Sequence, residues 1–193
     1  MSTTLLPPPP TMPVAPVATH GGDARAHVAQ TGVWIAIATI SMTFAALTSA
    51  LVVRQSGAPD WQHFQLPSLL YANTLVLLVS SVTLEASRRR RTAAGLNTTI
   101  VLGFLFIAGQ ALAWRQLVAQ RLVLASGPSS AFFYLFTVLH ALHVLGGITG
   151  LLYVHRRLAW VAWPAPALNA AALYWHFMAL LWVYLLVLLT IRG

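Results

Sequence analysis

This 193-residue chain contains no cysteine, no lysine and only three acidic residues, Asp23, Asp60 and Glu85. Without cysteine there is no disulfide, no thiolate metal site and no cysteine nucleophile. Glu85 is the only carboxylate that falls within an apolar stretch, so paired-carboxylate acid–base chemistry has no second partner. Neither a phosphate-cradling loop nor a Ser-His-Asp set is evident. Charged residues make up 7% of the chain, against about a quarter in ordinary soluble domains.

What remains is apolar and basic. The chain is 58% hydrophobic, and its net charge of +8 comes from 11 arginines. Mean hydropathy is +0.75. The arginines close apolar runs and do not interleave with aromatics on a polar face, which excludes a nucleic-acid surface. They read as topology marks and headgroup anchors of a membrane protein.

The hydropathy pattern predicts an all-α, polytopic transmembrane bundle of five membrane-spanning helices, at about 31–53, 68–87, 96–114, 132–155 and 168–191. Residues 1–30, with Pro7 to Pro10, Pro13 and Pro16, form an expected disordered, Pro-rich N-terminal tail; residues 31–193 form the membrane domain. No basic start precedes an apolar run of adequate length, so a secretory leader is not expected. Ala45, Ala46, Ser49 and Ala50 give the first span a small-residue packing face. Trp61 is expected at an interface, and Gly127-Pro128-Ser129-Ser130 is expected to form a turn whose serines cap the fourth span. The third span is expected to continue as helix through Arg115 and Gln116 to Gln120 and Arg121. Five spans put the termini on opposite sides. Arg25, Arg88 to Arg91, Arg156 and Arg157 fall on one side, and Arg54, Arg115, Arg121 and Arg192 on the other. That bias predicts a cytoplasmic N-terminus and a C-terminus outside.

The fourth span organises the rest. Phe132 to His155 runs without a formal charge, and on a helix Phe136, His140, His143 and Gly147 share one stripe. Gly146 and Gly150, four apart beside it, have the register that lets a second helix come close. Imidazoles at membrane depth face protein or a water-filled cavity, so this stripe is expected to face inward. In the second span, Asn73, Thr74, Ser80 and Ser81 read as polar groups that tie helices together, as does Gln110 in the third. Glu85 precedes Arg88 and Arg89 by three and four residues, the spacing of a solvated ion pair. Haem or metal ligation by His140, His143 and His176 is the chemical alternative. It is disfavoured by depth: His143 lies about 11 residues from either end of its span and His176 about eight into the next. A transporter would show broken helices or inverted repeats, and none is apparent.

Several of these stretches together resemble a known family. Phe132-Phe-Tyr-Leu-Phe-Thr-Val-Leu-His140-Ala-Leu-His143-Val-Leu-Gly146-Gly147 is similar to the Thr-Gly-x-His-x-x-His-Val-x-x-Gly signature of subunit III of haem–copper oxidases. Tyr174-Trp175-His176-Phe177, followed by Trp182, resembles that family's Tyr-Trp-His-Phe-Val-Asp-x-x-Trp motif. Asn73-Thr74 with Ser80-Ser81, Phe44-Ala-Ala-Leu, and Gly109-Gln110 with Trp114-Arg115-Gln116-Leu117 fit its other helices, in order over about residues 31–193.

The resemblance implies a cytochrome c oxidase-type subunit III in the short, five-helix bacterial form, a multi-pass protein of the plasma membrane. Such subunits lack a redox centre. They pack beside the catalytic subunit I, which with subunit II carries haem and copper, and they hold phospholipid in a cleft and support proton uptake. No cofactor is therefore expected in this chain beyond bound phospholipid. His140, His143, Gly147, Tyr174, Trp175, His176 and Trp182 carry over as structural or lipid-facing residues. Within the family, the alternatives are subunit III of a quinol oxidase and the companion of nitric oxide reductase. Outside it, the alternative is a stand-alone haem- or metal-binding membrane protein. Three departures stand out: no acid occupies the first span, where Ile40 or Met42 takes its place, Ala179 stands where the family has Asp, and Val138 follows Thr137 where the family has Gly.

Overall fold

The computed structural model describes residues 20–57, 67–119, 127–158, 160 and 164–192, with backbone alone for 20–27. Five helices account for nearly all of them: α1 (His20–Ser56), α2 (Leu69–Arg90), α3 (Ala93–Ala119), α4 (Pro128–Leu158) and α5 (Ala165–Arg192). Each is long and apolar enough to cross a membrane. The five-span, all-helical expectation therefore holds among the described residues.

The helices overrun the apolar windows. α1 starts at His20, inside the stretch read as tail, because no proline lies between Pro16 and Pro59 and Ala24, Arg25 and Ala26 sustain a helix once it has begun. α3 runs through Arg115 and Gln116 to Ala119; Gln120, Arg121 and Trp61 lie outside the described residues. One cap expectation is corrected. α4 begins at Pro128, whose fixed φ and missing N–H suit a first helical position. Ser129 and Ser130 are consequently buried in the first turn, and the Ser130 hydroxyl donates back to the Gly127 carbonyl (2.8 Å) instead of capping.

α2, α3, α4 and α5 form a ring in which each packs on the next and α5 closes on α2; α1 sits outside, against α5 and α4. Half of the apolar window of α5 is buried but only 17% of that of α1, which makes α5 the centre and α1 the periphery. In lipid, helices gain no hydrophobic free energy by leaving the solvent, so close packing and interhelical hydrogen bonds hold such a ring. α2 and α3 are joined by the tightest turn. Arg91 takes a left-handed conformation (φ 53°, ψ 46°), its N–H returns to the Ser87 carbonyl, and the Ser87 hydroxyl donates to Thr92 (2.6 Å). Gly95 is required there, since a Cβ would lie 2.7 Å from that of Ser87.

α1 is held through Ile40, Phe44 and Leu51. Phe44 stacks on Phe136 (6.1 Å between centroids) and meets His143 edge-on (6.0 Å). Farther along, Tyr184 donates to Thr48 (3.0 Å). Ala45, Ala46, Ser49 and Ala50 are exposed, because the bulky Phe44 face has turned inward.

Candidate functional site

The interior of the ring is built around two tryptophans of α5. α3 and α5 lie diagonally, with no pair of Cα atoms within 8 Å, and the indoles of Trp175 and Trp182 span the gap. Trp175 lies between two glycines. A Cβ on Gly103 of α3 would sit 2.8 Å from its Cη2, and one on Gly147 of α4 would sit 3.0 Å from its Cε3. Its Nε1 donates to the Ser80 hydroxyl of α2 (3.0 Å), so one side chain touches all four helices of the ring. Trp182, two turns on, donates to Thr74 (2.9 Å), whose own hydroxyl donates to the Leu70 carbonyl (2.7 Å). Its ring meets Phe106 at right angles (5.2 Å) and lies over His140 (5.0 Å).

The polar residues of α2 divide between its neighbours. Asn73 donates to the Phe106 carbonyl of α3 (3.0 Å), and the next turn of α3 needs Gly109 because a side chain there would strike the Asn73 amide. Thr74, Ser80 and Ser81 reach α5, at Trp182, Trp175 and Nδ1 of His176 respectively. A polar seam between Thr83 and Thr99 (2.9 Å) adds to the α2–α3 contact. On α3, the Trp114 indole donates to Thr137 of α4 (3.1 Å).

The histidines have separate surroundings. His140 is fully buried between Trp182 and Phe106, and neither ring nitrogen has a hydrogen-bond partner among the described residues. His143 is half-buried; its Nδ1–H donates to the Leu139 carbonyl (2.7 Å), while Tyr174 donates to the carbonyl of His143 itself (3.1 Å). His176 sits near the other end, against Ser81. Among the described residues, no group of three or more His, Asp or Glu is placed to hold a metal ion. Gln110 differs from its expected tying role: it is buried, but its amide makes no hydrogen bond among the described residues. Ile40 is buried in the α1 contact and Met42 is 74% exposed, while Ala179 lies in the apolar core.

Sequence spacing did not bring Ser81, His176 and Glu85 together, and the fold does. Ser81 and Glu85 are one turn apart on α2, and both face His176 of α5. The set is no nucleophilic triad. The Glu85 carboxylate is 3.6 Å from His176 Nε2 and is held instead by Arg88 (Nε and Nη2, both 2.8 Å) and Arg89 (Nε, 2.7 Å).

A second sequence expectation fails at the glycines. Gly147 makes a tight contact, but a Cβ on Gly150 would meet nothing within 4 Å and one on Gly146 only the Tyr174 hydroxyl, at 3.8 Å. These two line a cleft of about 450 Å³ together with Gly32 and Ala36 of α1 and Ala171 of α5. The contact of Phe44 with Phe136 and His143 holds α1 on α4 farther along.

Five spans and an interior of tryptophans and hydroxyls, with the cleft opening at its edge, define a multi-pass helical membrane protein. The chain belongs to the cytochrome c oxidase subunit III family, whose model matches residues 28–193. It is 27% identical over 180 residues to the cytochrome c oxidase subunit 3 of Corynebacterium diphtheriae, covering 84% of this chain and 87% of that one. To the subunit 3 of a Synechocystis strain it is 28% identical over 184 residues, 88% and 78% of the two chains. The probable subunit 3 of Mycobacterium leprae is 31% identical over 122 residues, 58% of this chain; that match spans 60% of the mycobacterial protein.

Proposed function

We propose that this chain is a non-catalytic membrane subunit of a haem–copper terminal oxidase of the cytochrome c oxidase type, in aerobic respiratory electron transport. It supports assembly, lipid retention and proton uptake by a catalytic subunit I, with subunit II beside it. The observation that carries this reading is the family match over residues 28–193, which includes the His140/His143 and Tyr174-Trp175-His176-Phe177 motifs. The packing is in keeping with it: Trp175 and Trp182 are committed to holding helices together, and His140, His143 and His176 do not converge. The arginine bias supports a cytoplasmic N-terminus, a C-terminus outside and residence in a bacterial plasma membrane. The cleft beside Gly146 and Gly150, apolar and open to the membrane, suits a phospholipid acyl chain.

The test is spectroscopic. The full chain purified free of other subunits is expected to show no Soret band and no stoichiometric iron or copper. A bound centre lost in His143→Ala would overturn the proposal and favour a stand-alone haem- or metal-binding protein.

A further inference from the structure

On the face of α5 away from the lipid cleft lies a second, smaller cavity of about 320 Å³, lined by Arg88, Arg89, Arg91, Ala165 and Asn169. Ala165 and Asn169 are one turn apart on one side of α5; Ala167, Ala171 and Tyr174, which line the cleft, are on the other. The two cavities are therefore separate.

Three features make this more than a basic loop. Its guanidiniums are positioned by other groups: Glu85 grips Arg88 with both carboxylate oxygens and Arg89 with one, and Arg88 Nη1 reaches the Asn169 amide oxygen (3.4 Å). Arg91 is the only non-glycine residue with a positive φ among the described residues, and its side chain has no partner among them, yet it lines the cavity. Left-handed backbone on a residue other than glycine is costly and persists where the surroundings impose it. Third, the cavity opens at the N-terminus of the 28-residue helix α5, the positive end of its dipole. Glu85 supplies one negative charge against the three arginines that line the cavity, so the site retains an excess of positive charge.

We propose that this cavity binds a phosphate-bearing anion. Planar guanidiniums fork onto phosphate oxygens, and the positive end of a helix dipole shares that preference for an anion. Its place where α2 ends and α5 begins is the edge of the bilayer, where the abundant source of that chemistry is an anionic phospholipid headgroup. The site is independent of the oxidase reading, since nothing in it depends on a partner subunit.

The discriminating experiment titrates the purified full chain with short-chain phosphatidylglycerol, with phosphatidylcholine of the same chain length, and with inorganic phosphate as competitor. Arg91→Gln and Arg91→Asn remove the charge that lines the cavity; Asn also suits a left-handed residue. Arg90→Gln removes the same charge from an exposed neighbour that does not line it. Phosphatidylglycerol is expected to bind about tenfold more weakly to both Arg91 variants and within about twofold of normal to Arg90→Gln. Competition by inorganic phosphate would identify the bare anion as sufficient; binding without competition would identify the lipid phosphodiester. Equal losses in the Arg90 and Arg91 variants, or no preference over phosphatidylcholine, would overturn the site and leave only diffuse charge attraction.

Discussion

Trp175 of α5 occupies the space that a side chain at Gly103 of α3 would need, with Cη2 only 2.8 Å from where the Cβ would stand. This is a rigid aromatic face against backbone, so neither side can yield by changing rotamer. Gly103→Ala is expected to destabilise the fold by about 1–3 kcal/mol, the usual cost of overfilling a tight core, and Gly147→Leu by at least as much. Gly150→Ala serves as the neutral control, having nothing within 4 Å of its Cβ. Thermal unfolding of the full chain in native membranes measures all three; equal midpoints would contradict the clamp.

The hydrogen bond from Trp182 to Thr74 is expected to show as coupling. Both residues are buried, and removing the Thr74 hydroxyl leaves the indole N–H of Trp182 without this acceptor. Trp182→Phe and Thr74→Val should each cost stability, and the double variant should cost less than their sum by about 1 kcal/mol. Additive losses would show that the two residues act separately.

Gln110 is expected to behave in the opposite way to Asn73. Its amide is buried and makes no hydrogen bond among the described residues, so Gln110→Met should be neutral or stabilising, by up to about 1 kcal/mol. Asn73→Leu removes the donor to Phe106 and should destabilise by about 1–2 kcal/mol. Unfolding midpoints that fall equally for both would mean the Gln110 amide is paired.

Ala179 bears on the acid that the family pattern carries at that position. The residue is 3% exposed within the apolar core. Ala179→Asp should therefore cost several kcal/mol or abolish accumulation in membranes, because a carboxylate there has to be buried without a partner. Normal expression and an unchanged unfolding midpoint would show that the site still accommodates the acid.

Much of this architecture was legible in the sequence. Apolar runs long enough to span a membrane, closed by arginines, give five helices because hydrocarbon admits little else. The spacing of His140 and His143, and the Tyr174-Trp175-His176-Phe177 run, were visible as motifs. What those motifs touch was not. That Trp175 fits between Gly103 and Gly147 depends on where α3 and α4 stand across the ring, which no local pattern states. The glycine spacing misled at Gly146 and Gly150, since permission for close approach becomes contact only if a helix arrives, and there a cleft is left between them and α1. The spacing of Ser81 and Glu85 put them on one face of α2, but that His176 of α5 meets that face was not legible. The α4 start at Pro128 outweighed the capping preference of its serines, because proline suits the first turn better than it suits a loop one residue before it.

The most direct test of the central claim is the composition of the complex isolated from native membranes through a tag on this chain, with its optical spectrum. The account predicts a larger integral subunit in equal proportion, with all haem absorbance following that subunit when the two are separated. Haem that stays with this chain, or a tagged chain that emerges from gentle solubilisation without partners, would contradict it.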